Sequence, residues 1–427
     1  MMRSLFVRFR ALSVFAVLLT AVAVASCSED IQAGATCPLL CPQGAPPLKD
    51  TIIDAVTFDT SIAGFPPLGF ESSLVLARRG DTLDSRIVTR YDTLPVKYSA
   101  AGQDSTIKRI DSAYVTGMRF AEDSALTFRD SASVEVYDVT DAVDDTATAA
   151  LLAEFTPANR IGVRKYGKGD KPDTLRIVLD TARVRLRVIT THRLHIALRM
   201  VTTGSEQVRI ISHNSGEGIT LTVRASRDTA VAALLINPNS DFAPDKPFLS
   251  PAVADFNLIA LGSPPAANAL RVGGMPWRRV MFRFRIPSRI VDSAGVIRAT
   301  LFLTQRPMRT GSDAGDSVKL HVVPVIVSDL ITDLHQMLEF AGATSSYSTD
   351  SVMLVPRDSV RRGLEIVNIV RSWRGQDTIR TPRAIALVLG TEGNRPAAVD
   401  FYSIEAPPGL RPQLRLSYVT KLNSGRP

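Results

Sequence analysis

The side chains in this sequence that could do chemistry are few and scattered. Its three cysteines are Cys27, Cys37 and Cys41, all close to the start of the chain. Two of the five histidines, His192 and His195, lie three residues apart. In a strand that spacing puts them on opposite faces, so we expect surface or hydrogen-bonded histidines rather than a metal pair.

Two acidic clusters have the oxygen ligands that calcium prefers. They are Asp81 with Asp84, and Asp141 with Asp144 and Asp145. Acidic turns and helix caps account for both clusters equally well. The sequence has no Gly-x-Ser-x-Gly elbow, no phosphate-binding glycine loop and no His-Glu-x-x-His motif. No pair of carboxylates stands out as the two that a glycosidase needs. We therefore expect no enzyme activity, no metal and no cofactor.

The first residues are typical of a secretory signal. Three arginines precede a nearly uninterrupted apolar run over residues 11–24, which ends in Val24-Ala25-Ser26-Cys27. This ending resembles the bacterial lipobox, in which the cysteine is acylated and becomes the mature N-terminus. The resemblance implies lipidation at Cys27 and a membrane partner reached through the lipid anchor. Ser28 after the cysteine implies sorting to the bacterial outer membrane. A plain secretory signal with a chance cysteine is the alternative.

Residues 27–50 are predicted to form a tether, because they are rich in small residues and proline. Once Cys27 is acylated, Cys37 and Cys41 are the remaining thiols, in an oxidising compartment. A local disulfide between them is one interpretation, and two unpaired tether cysteines are the other.

Aromatic residues, which glycan-binding proteins use as exposed platforms, make up only 6% of the chain. Trp277 follows a Gly-Gly-Met-Pro loop and is our candidate glycan platform. Its alternative role is to cap the edge of a sandwich. We assign the other large aromatics to the core: Tyr91, Tyr114, Phe282, Phe284, Phe302 and Trp373.

The elements that would position these residues are strands. Residues 278–287 alternate, with Phe282 and Phe284 on one face and Arg283 and Arg285 on the other. A similar strand at residues 86–95 also begins with arginine and ends at a proline. If the two are aligned, Ile87 takes the place of Val280 and Tyr91 that of Phe284.

Most of the chain falls into two copies when these strands are aligned. Each copy is too large for a solenoid repeat and consists of many short strands, so we predict a mainly β fold with two tandem antiparallel, jelly-roll-like β-sandwiches and a few short helices. Helices are predicted after residue 145, over residues 329–340 and over residues 358–373. Residues 184–188 have a more strand-like pattern. The predicted segments are a signal peptide (1–26), a tether (27–50), domain 1 (51–224), a linker (225–254) with an edge strand near Val231–Ile236, and domain 2 (255–420).

Copy two resembles the DNRLRE-type domain, a disaggregatase-related β-sandwich of microbial surface proteins. The matching motifs are Leu270-Arg271-Val272, the strand from Arg279 to Pro287, Ile297 to Phe302, Asp358 to Gly375 with its tryptophan, and Ser403-Ile404-Glu405 with Arg411-Pro412. Copy one matches less fully, since it lacks the tryptophan-glycine end and the closing arginine-proline. The resemblance implies a glycan-binding or adhesive module and carries over no catalytic residue.

The formal net charge is +8, with acids and bases interleaved. A nucleic-acid surface needs a clustered basic stripe, so we do not expect a nucleic-acid partner. The sequence thus predicts a lipid-anchored envelope protein with a non-catalytic role in binding or adhesion, of which glycan binding is one form. The alternative is a scaffold for envelope proteins, and a glycan-active enzyme is the least favoured interpretation.

Overall fold

Strands make up most of the computed structural model. It describes residues 48–100, 102–120, 127–140, 147–240, 253–262, 264–308, 317–325, 350–375 and 383–420. The strands in chain order are β1 (Leu48–Ile53), β2 (Val56–Ala63), β3 (Ser73–Arg79), β4 (Leu83–Tyr91), β5 (Lys97–Ala100), β6 (Gln103–Thr106), β7 (Ser112–Met118), β8 (Ala132–Val139), β9 (Arg160–Tyr166), β10 (Thr174–Val178), β11 (Leu194–Thr202), β12 (Ser205–Ile211), β13 (Ile219–Arg224), β14 (Leu234–Ile236), β15 (Asp255–Leu261), β16 (Ala269–Gly273), β17 (Arg278–Phe284), β18 (Ala294–Arg306), β19 (Val318–Val325), β20 (Ser351–Leu354), β21 (Arg361–Glu365), β22 (Ala384–Leu389), β23 (Ala398–Tyr402) and β24 (Gln413–Thr420). Short helices are α1 (Thr148–Ala153), α2 (Thr181–Thr190), α3 (Ser288–Val291) and α4 (Val367–Ser372). The predicted mainly β class, with antiparallel sheets and few short helices, is confirmed.

Two pairs of sheets each enclose an apolar core. In the first sandwich, the seven-stranded sheet β12-β3-β4-β11-β8-β9, with β15 also on β4, faces the four-stranded sheet β10-β7-β13-β14. In the second, the six-stranded sheet β1-β24-β18-β23-β16, with β21 also on β18, faces the five-stranded sheet β2-β17-β22-β19-β20. Alternating side chains fill the space between each pair, as in packed sandwiches. A separate hairpin joins β5 to β6.

The alternation predicted for β17 is confirmed. Phe282 and Phe284 are buried in the second core, whereas Arg283 is half-buried and Arg285 exposed. The alignment with β4 also holds at the level of register. Ile87 pairs with Leu198 of β11, and Val280 pairs with Leu387 of β22, at the same place in each ladder.

The two sandwiches exchange a strand. β2, which opens the first copy, pairs with β17 of the second sandwich. Conversely, β15, which opens the second copy, pairs with β4 of the first. Asp59 and Asp255 occupy equivalent positions: they pair with Phe282 and Thr89, and each carboxylate accepts a backbone N–H, from Ile404 at 2.7 Å and from His213 at 2.8 Å. Each sandwich is therefore completed by a strand from the other half of the chain.

β1 adds to this crossing, because it pairs with β24 near the end of the chain. It begins at Leu48, so the last residues of the predicted tether are strand. Within the predicted linker, Leu234–Ile236 forms β14 on the edge of β13. The segment boundaries themselves stay predictions.

Two secondary-structure predictions are wrong, one of a strand and one of a helix. Residues 184–188 belong to α2, where Asp180 accepts the Ala182 N–H at 2.9 Å as a cap, and Val184 and Val188 are buried four residues apart. Residues 361–365 form β21 on β18, and the helix α4 begins only at Val367. The helix predicted after residue 145 is confirmed as α1. The one predicted at 329–340 lies outside the described residues.

Candidate functional site

The outward face of the four-stranded sheet is the candidate site. On β7, Ala113, Val115 and Gly117 point into the first core and are buried, so Tyr114 and Thr116 point outward and are half-buried. In register, Thr116 lies between Arg176 of β10 and Thr220 of β13. Tyr114 lies in the next row, between Val178 and Thr222. Thr222 is buried, so the face combines the Tyr114 ring with the hydroxyl groups of Thr116 and Thr220. Neighbouring residues in one row are about 4.8 Å apart, and successive rows lie about 6.8 Å apart along the strands.

An arginine is stacked on this tyrosine. The guanidinium carbon of Arg176 lies 3.9 Å from the centroid of the Tyr114 ring. The Arg164 Nη1 donates a hydrogen bond at 2.9 Å to the backbone carbonyl of Arg176. Both guanidinium groups are thus oriented by contacts within the protein, although Arg164 and Arg176 are exposed. A planar guanidinium held in this way is ready to donate to an anionic oxygen.

Tyr114 and Phe302 were predicted to be core residues, and this is wrong for both, because each is half-buried on an outward face. Matching the strand at residues 110–115 with that at 297–302, position by position, would make Ala113 equivalent to Thr300. In the structure Ala113 matches Ala299, because their carbonyls accept equivalent bonds from Leu179 and Ile366 at 2.9 and 2.7 Å. A shift of one residue reverses the faces of a strand. The register of β18 against β24 shifts between Val296 and Arg298, and the sequence alone does not reveal this irregularity.

Trp277, the predicted glycan platform, does not present a face to solvent. Its side chain is buried, at 5% exposure, against Val75, Ala77 and Leu83 of the first sandwich. The indole Nε1 donates to the Arg395 carbonyl at 3.1 Å. Burying an indole between sheets contributes packing that a surface platform would lack. The prediction is corrected: Trp277 is a packing residue at the junction of the sandwiches. Trp373 is confirmed as a core residue.

The histidine pair does not form a site. His192 lies before β11 in a left-handed conformation at φ 56°. His195 is buried on β11, where its Nε2 lies 2.6 Å from Asp92 Oδ1. Arg90 also bridges to Asp92, at 3.0 Å. These contacts form a buried internal network of hydrogen bonds and ion pairs. Among the residues that the structure describes, no group of three or more histidine, cysteine or acidic side chains could hold a metal ion.

Asp84 is neutralised by protein cations rather than placed for calcium. It is buried and makes ion pairs with Arg86 at 2.9 Å and Arg78 at 3.1 Å. Asp81 lies in the exposed turn before β4. The second predicted cluster, Asp141 with Asp144 and Asp145, lies outside the described residues, as do Cys27, Cys37 and Cys41.

Two buried carboxyl groups lie where β15 enters the first sandwich. Burial raises the pKa of Glu71 to about 7, and the nearby Asp255 adds to this increase. Burial likewise raises the pKa of Asp255 to about 7, against the opposing effect of the His213 N–H. Glu71 accepts backbone N–H groups from Gly69 at 2.8 Å and Asn257 at 3.3 Å. These contacts fasten the loop before β3 to the exchanged strand, so both groups act in folding.

No helix within the described ranges is long and apolar enough to cross a membrane. No protein-family model matches the chain, and no curated protein matches it. Among solved structures, the chain is similar to the Macrobrachium rosenbergii nodavirus at 10% identity, covering 88% of this chain and 91% of that chain, with a TM-score of 0.19. It is also similar to infectious bursal disease virus Gt strain at 11% identity, covering 88% of this chain and 78% of that chain, with a TM-score of 0.14. TM-scores this low establish no common fold.

Proposed function

We propose that this protein is a lipid-anchored envelope protein that binds polysaccharide without catalysis. The observation that carries this function is the outward face around Tyr114, where an aromatic ring with a stacked guanidinium lies beside the hydroxyl groups of Thr116 and Thr220. Sugars bind proteins through such pairs of interactions, because their C–H faces pack on aromatic rings and their hydroxyl groups exchange hydrogen bonds.

The exchanged strands support a binding role. A ligand held on the Tyr114 face can pull on the first sandwich, while the tether joins the chain at β1, on a sheet of the second sandwich. Because β2 and β15 cross between the sandwiches, a load passes through paired strands rather than through a single linker. That connection is suited to adhesion or envelope attachment.

The anchor is the lipidation of Cys27, for which the charged start, the apolar run and the Val-Ala-Ser-Cys ending are the support. Labelling with a fatty-acid analogue should mark the wild type and fail to mark Cys27→Ala. The wild type should fractionate with outer membrane. Undiminished labelling of the variant would refute the anchor.

The binding role is tested by pull-down on insoluble cellulose, chitin and xylan. Tyr114→Ala should reduce retention several-fold, because a stacked ring contributes on the order of 1 kcal/mol or more to binding. Tyr402→Ala is the matched control: Tyr402 is also half-buried beneath an arginine, Arg306, at 5.9 Å, but lies on the second sandwich. If the wild type is retained on no polysaccharide, or both variants behave alike, the Tyr114 face is not the site.

A scaffold for envelope proteins is the second candidate, favoured by the edge strand β14. Leu235 on β14 is 73% exposed, and β14 pairs with β13 alone in the described part of the sheet. A strand from a partner could add there. Capture of envelope proteins that is lost in Leu235→Lys but kept in Tyr114→Ala would favour this candidate.

A further inference from the structure

Residues 160–178 run from β9, in the seven-stranded sheet, to β10, in the facing four-stranded sheet, and carry an excess of positive charge. This segment is here called the basic hairpin for its U-shaped course between the sheets, although β9 and β10 pair with different strands. Six of its cationic side chains are exposed, and one of them, Arg160, pairs with Glu135 at 2.9 Å. The other five are Arg164, Lys165, Lys168, Lys171 and Arg176. Among the described residues, none of these five forms an ion pair with a carboxylate. The positive potential of such a cluster attracts anions and falls with added salt.

The two acids of the basic hairpin offset only part of this charge. Asp170 Oδ2 accepts the Gly167 N–H at 2.8 Å and so stabilises the turn. Asp173 contributes its backbone carbonyl, which accepts the Arg119 N–H at 3.2 Å. From 164 to 176 the sequence has five basic and two acidic residues, and this local excess is hidden by the even mixture of charges along the whole chain.

The second sandwich provides an internal comparison. On its six-stranded sheet, Arg298 pairs with Glu365 at 3.1 Å and Arg415 with Asp50 at 2.5 Å. Arg361 also lies over an aromatic ring, that of Phe302, at 4.8 Å. Arg298 and Arg415 thus have carboxylates beside them, whereas Arg361 has the amide oxygen of Gln413. In the first sandwich Arg160 is likewise paired, with Glu135, so the lack of paired carboxylates is a property of the five cations between residues 164 and 176.

We propose that the basic hairpin and the adjoining Tyr114 face bind an anionic polysaccharide, with Arg164 and Arg176 donating to its carboxylate groups. This inference rests on the proposed polysaccharide binding and specifies its substrate class. The row Arg176–Thr116–Thr220 continues from the cations onto the hydroxyl groups, so a linear chain finds charge and hydrogen-bonding groups in sequence. Carboxylate recognition by a guanidinium is directional and is stronger than a neutral hydrogen bond.

The tip of the basic hairpin favours a polysaccharide over a lipid surface. Residues 167–172 are Gly-Lys-Gly-Asp-Lys-Pro and contain no large apolar or aromatic side chain that could enter a membrane interface. The aromatic contacts lie instead at the base of the hairpin, on the sheet, where Tyr114 supports Arg176. A ligand that needs both must lie along the sheet.

The test compares binding to polygalacturonate, neutral dextran and vesicles containing phosphatidylglycerol. The full-length chain carries Cys27→Ala, so that no acyl chain contributes. The double variant Arg164→Ala/Arg176→Ala should raise the Kd for polygalacturonate about tenfold or more. The control Arg298→Ala/Arg361→Ala removes the same charge from the second sandwich and should change the Kd less than about twofold. Equal melting temperatures would establish that both variants are folded.

Every other outcome overturns the inference of an anionic polysaccharide ligand. The outcomes also show whether polysaccharide binding in general fails with it. Retention on neutral polysaccharides without binding to polygalacturonate would refute the anionic ligand and leave polysaccharide binding intact. Binding to neither class would refute both. An equal loss in the two double variants would mean non-specific attraction to net charge. Binding to the vesicles in preference to polygalacturonate would identify a lipid surface as the partner.

Discussion

The side-chain oxygen of Asn257 accepts a hydrogen bond from the backbone N–H of Val75 at 2.6 Å, although 182 residues separate the two. The Asn257 Nδ2 also donates to the Ser73 carbonyl at 3.1 Å. The ladder between β3 and β4 starts only at Ala77, so Val75 lies where β4 has diverged. The exchanged strand therefore supplies, through one amide side chain, the bonds that the neighbouring strand does not make.

Replacing Asn257 by alanine should lower the free energy of unfolding by about 1–3 kcal/mol, because a buried N–H and a carbonyl lose their partners together. Denaturant unfolding of Asn257→Ala and of the wild type measures this difference. Asn214→Ala is the control, since Asn214 is exposed and makes a single bond to the Phe70 carbonyl at 3.2 Å. Equal effects of the two substitutions would mean that Asn257 does not fasten the exchanged strand.

The buried carboxyl groups predict a fall in stability as the pH rises. The pKa of Glu71 and that of Asp255 are each raised to about 7 in the folded chain. The unfolded chain then loses these protons at a lower pH than the folded chain. Their contribution to stability is fully present below about pH 4 and declines until about pH 7, where the folded groups ionise as well.

Glu71→Gln and Asp255→Asn should therefore stabilise the protein at pH 8 and have little effect at pH 4. The displacement of the Glu71 pKa from 4.5 to about 7 corresponds to at most about 3 kcal/mol, and the two neighbouring groups titrate as a pair. Urea unfolding at both pH values provides the measurement, with the exposed Glu405→Gln as control. A gain of equal size at pH 4 would contradict the titration argument.

Alternation alone predicted the fold class and the inward faces of β4 and β17, because one buried face determines the register of a strand. It did not predict which sandwich β2 and β15 join. The first strand of each copy has the same alternation whether it pairs with β4 or with β17. The structure makes Asp59 equivalent to Asp255, a correspondence that the sequence pattern of these strands does not reveal. The candidate site was missed for a related reason, since Tyr114 was counted on the wrong face.

Phe284→Ala should destabilise both sandwiches together, rather than the second sandwich alone. The ring is buried in the second core, 5.4 Å from the ring of Trp373, and truncating such a residue costs about 3–5 kcal/mol. β2 leaves its place beside β17 if the second sandwich opens, and β2 is continuous with the loop that packs on the first. Calorimetry should give one transition at a lower temperature, with the exposed Arg285→Ala unchanged. Two transitions, of which one stays at its wild-type temperature, would mean that the sandwiches unfold independently.

Cutting the chain between the two copies gives the most direct test of the strand exchange. A protease site inserted within residues 241–252 separates β1–β14 from β15–β24 covalently. In the structure, however, β1 and β2 of the first fragment pair with β24 and β17, and β15 of the second pairs with β4. Three antiparallel pairings of six to eight residues, together with Trp277 packed on β3, then hold the fragments together.

We expect the cleaved fragments to elute as one species from a size-exclusion column and to separate only in denaturant. Proline substitutions at Thr60 and Asn257 disrupt the exchange, because each removes a backbone N–H and strains an exchanged strand. At Asn257 the substitution also removes the side-chain bonds to Val75 and Ser73. The cleaved double variant should elute as two fragments, while the uncleaved one remains a single chain. Two conventional domains joined by a linker would come apart on cleavage even with wild-type strands, and that result would refute the exchange.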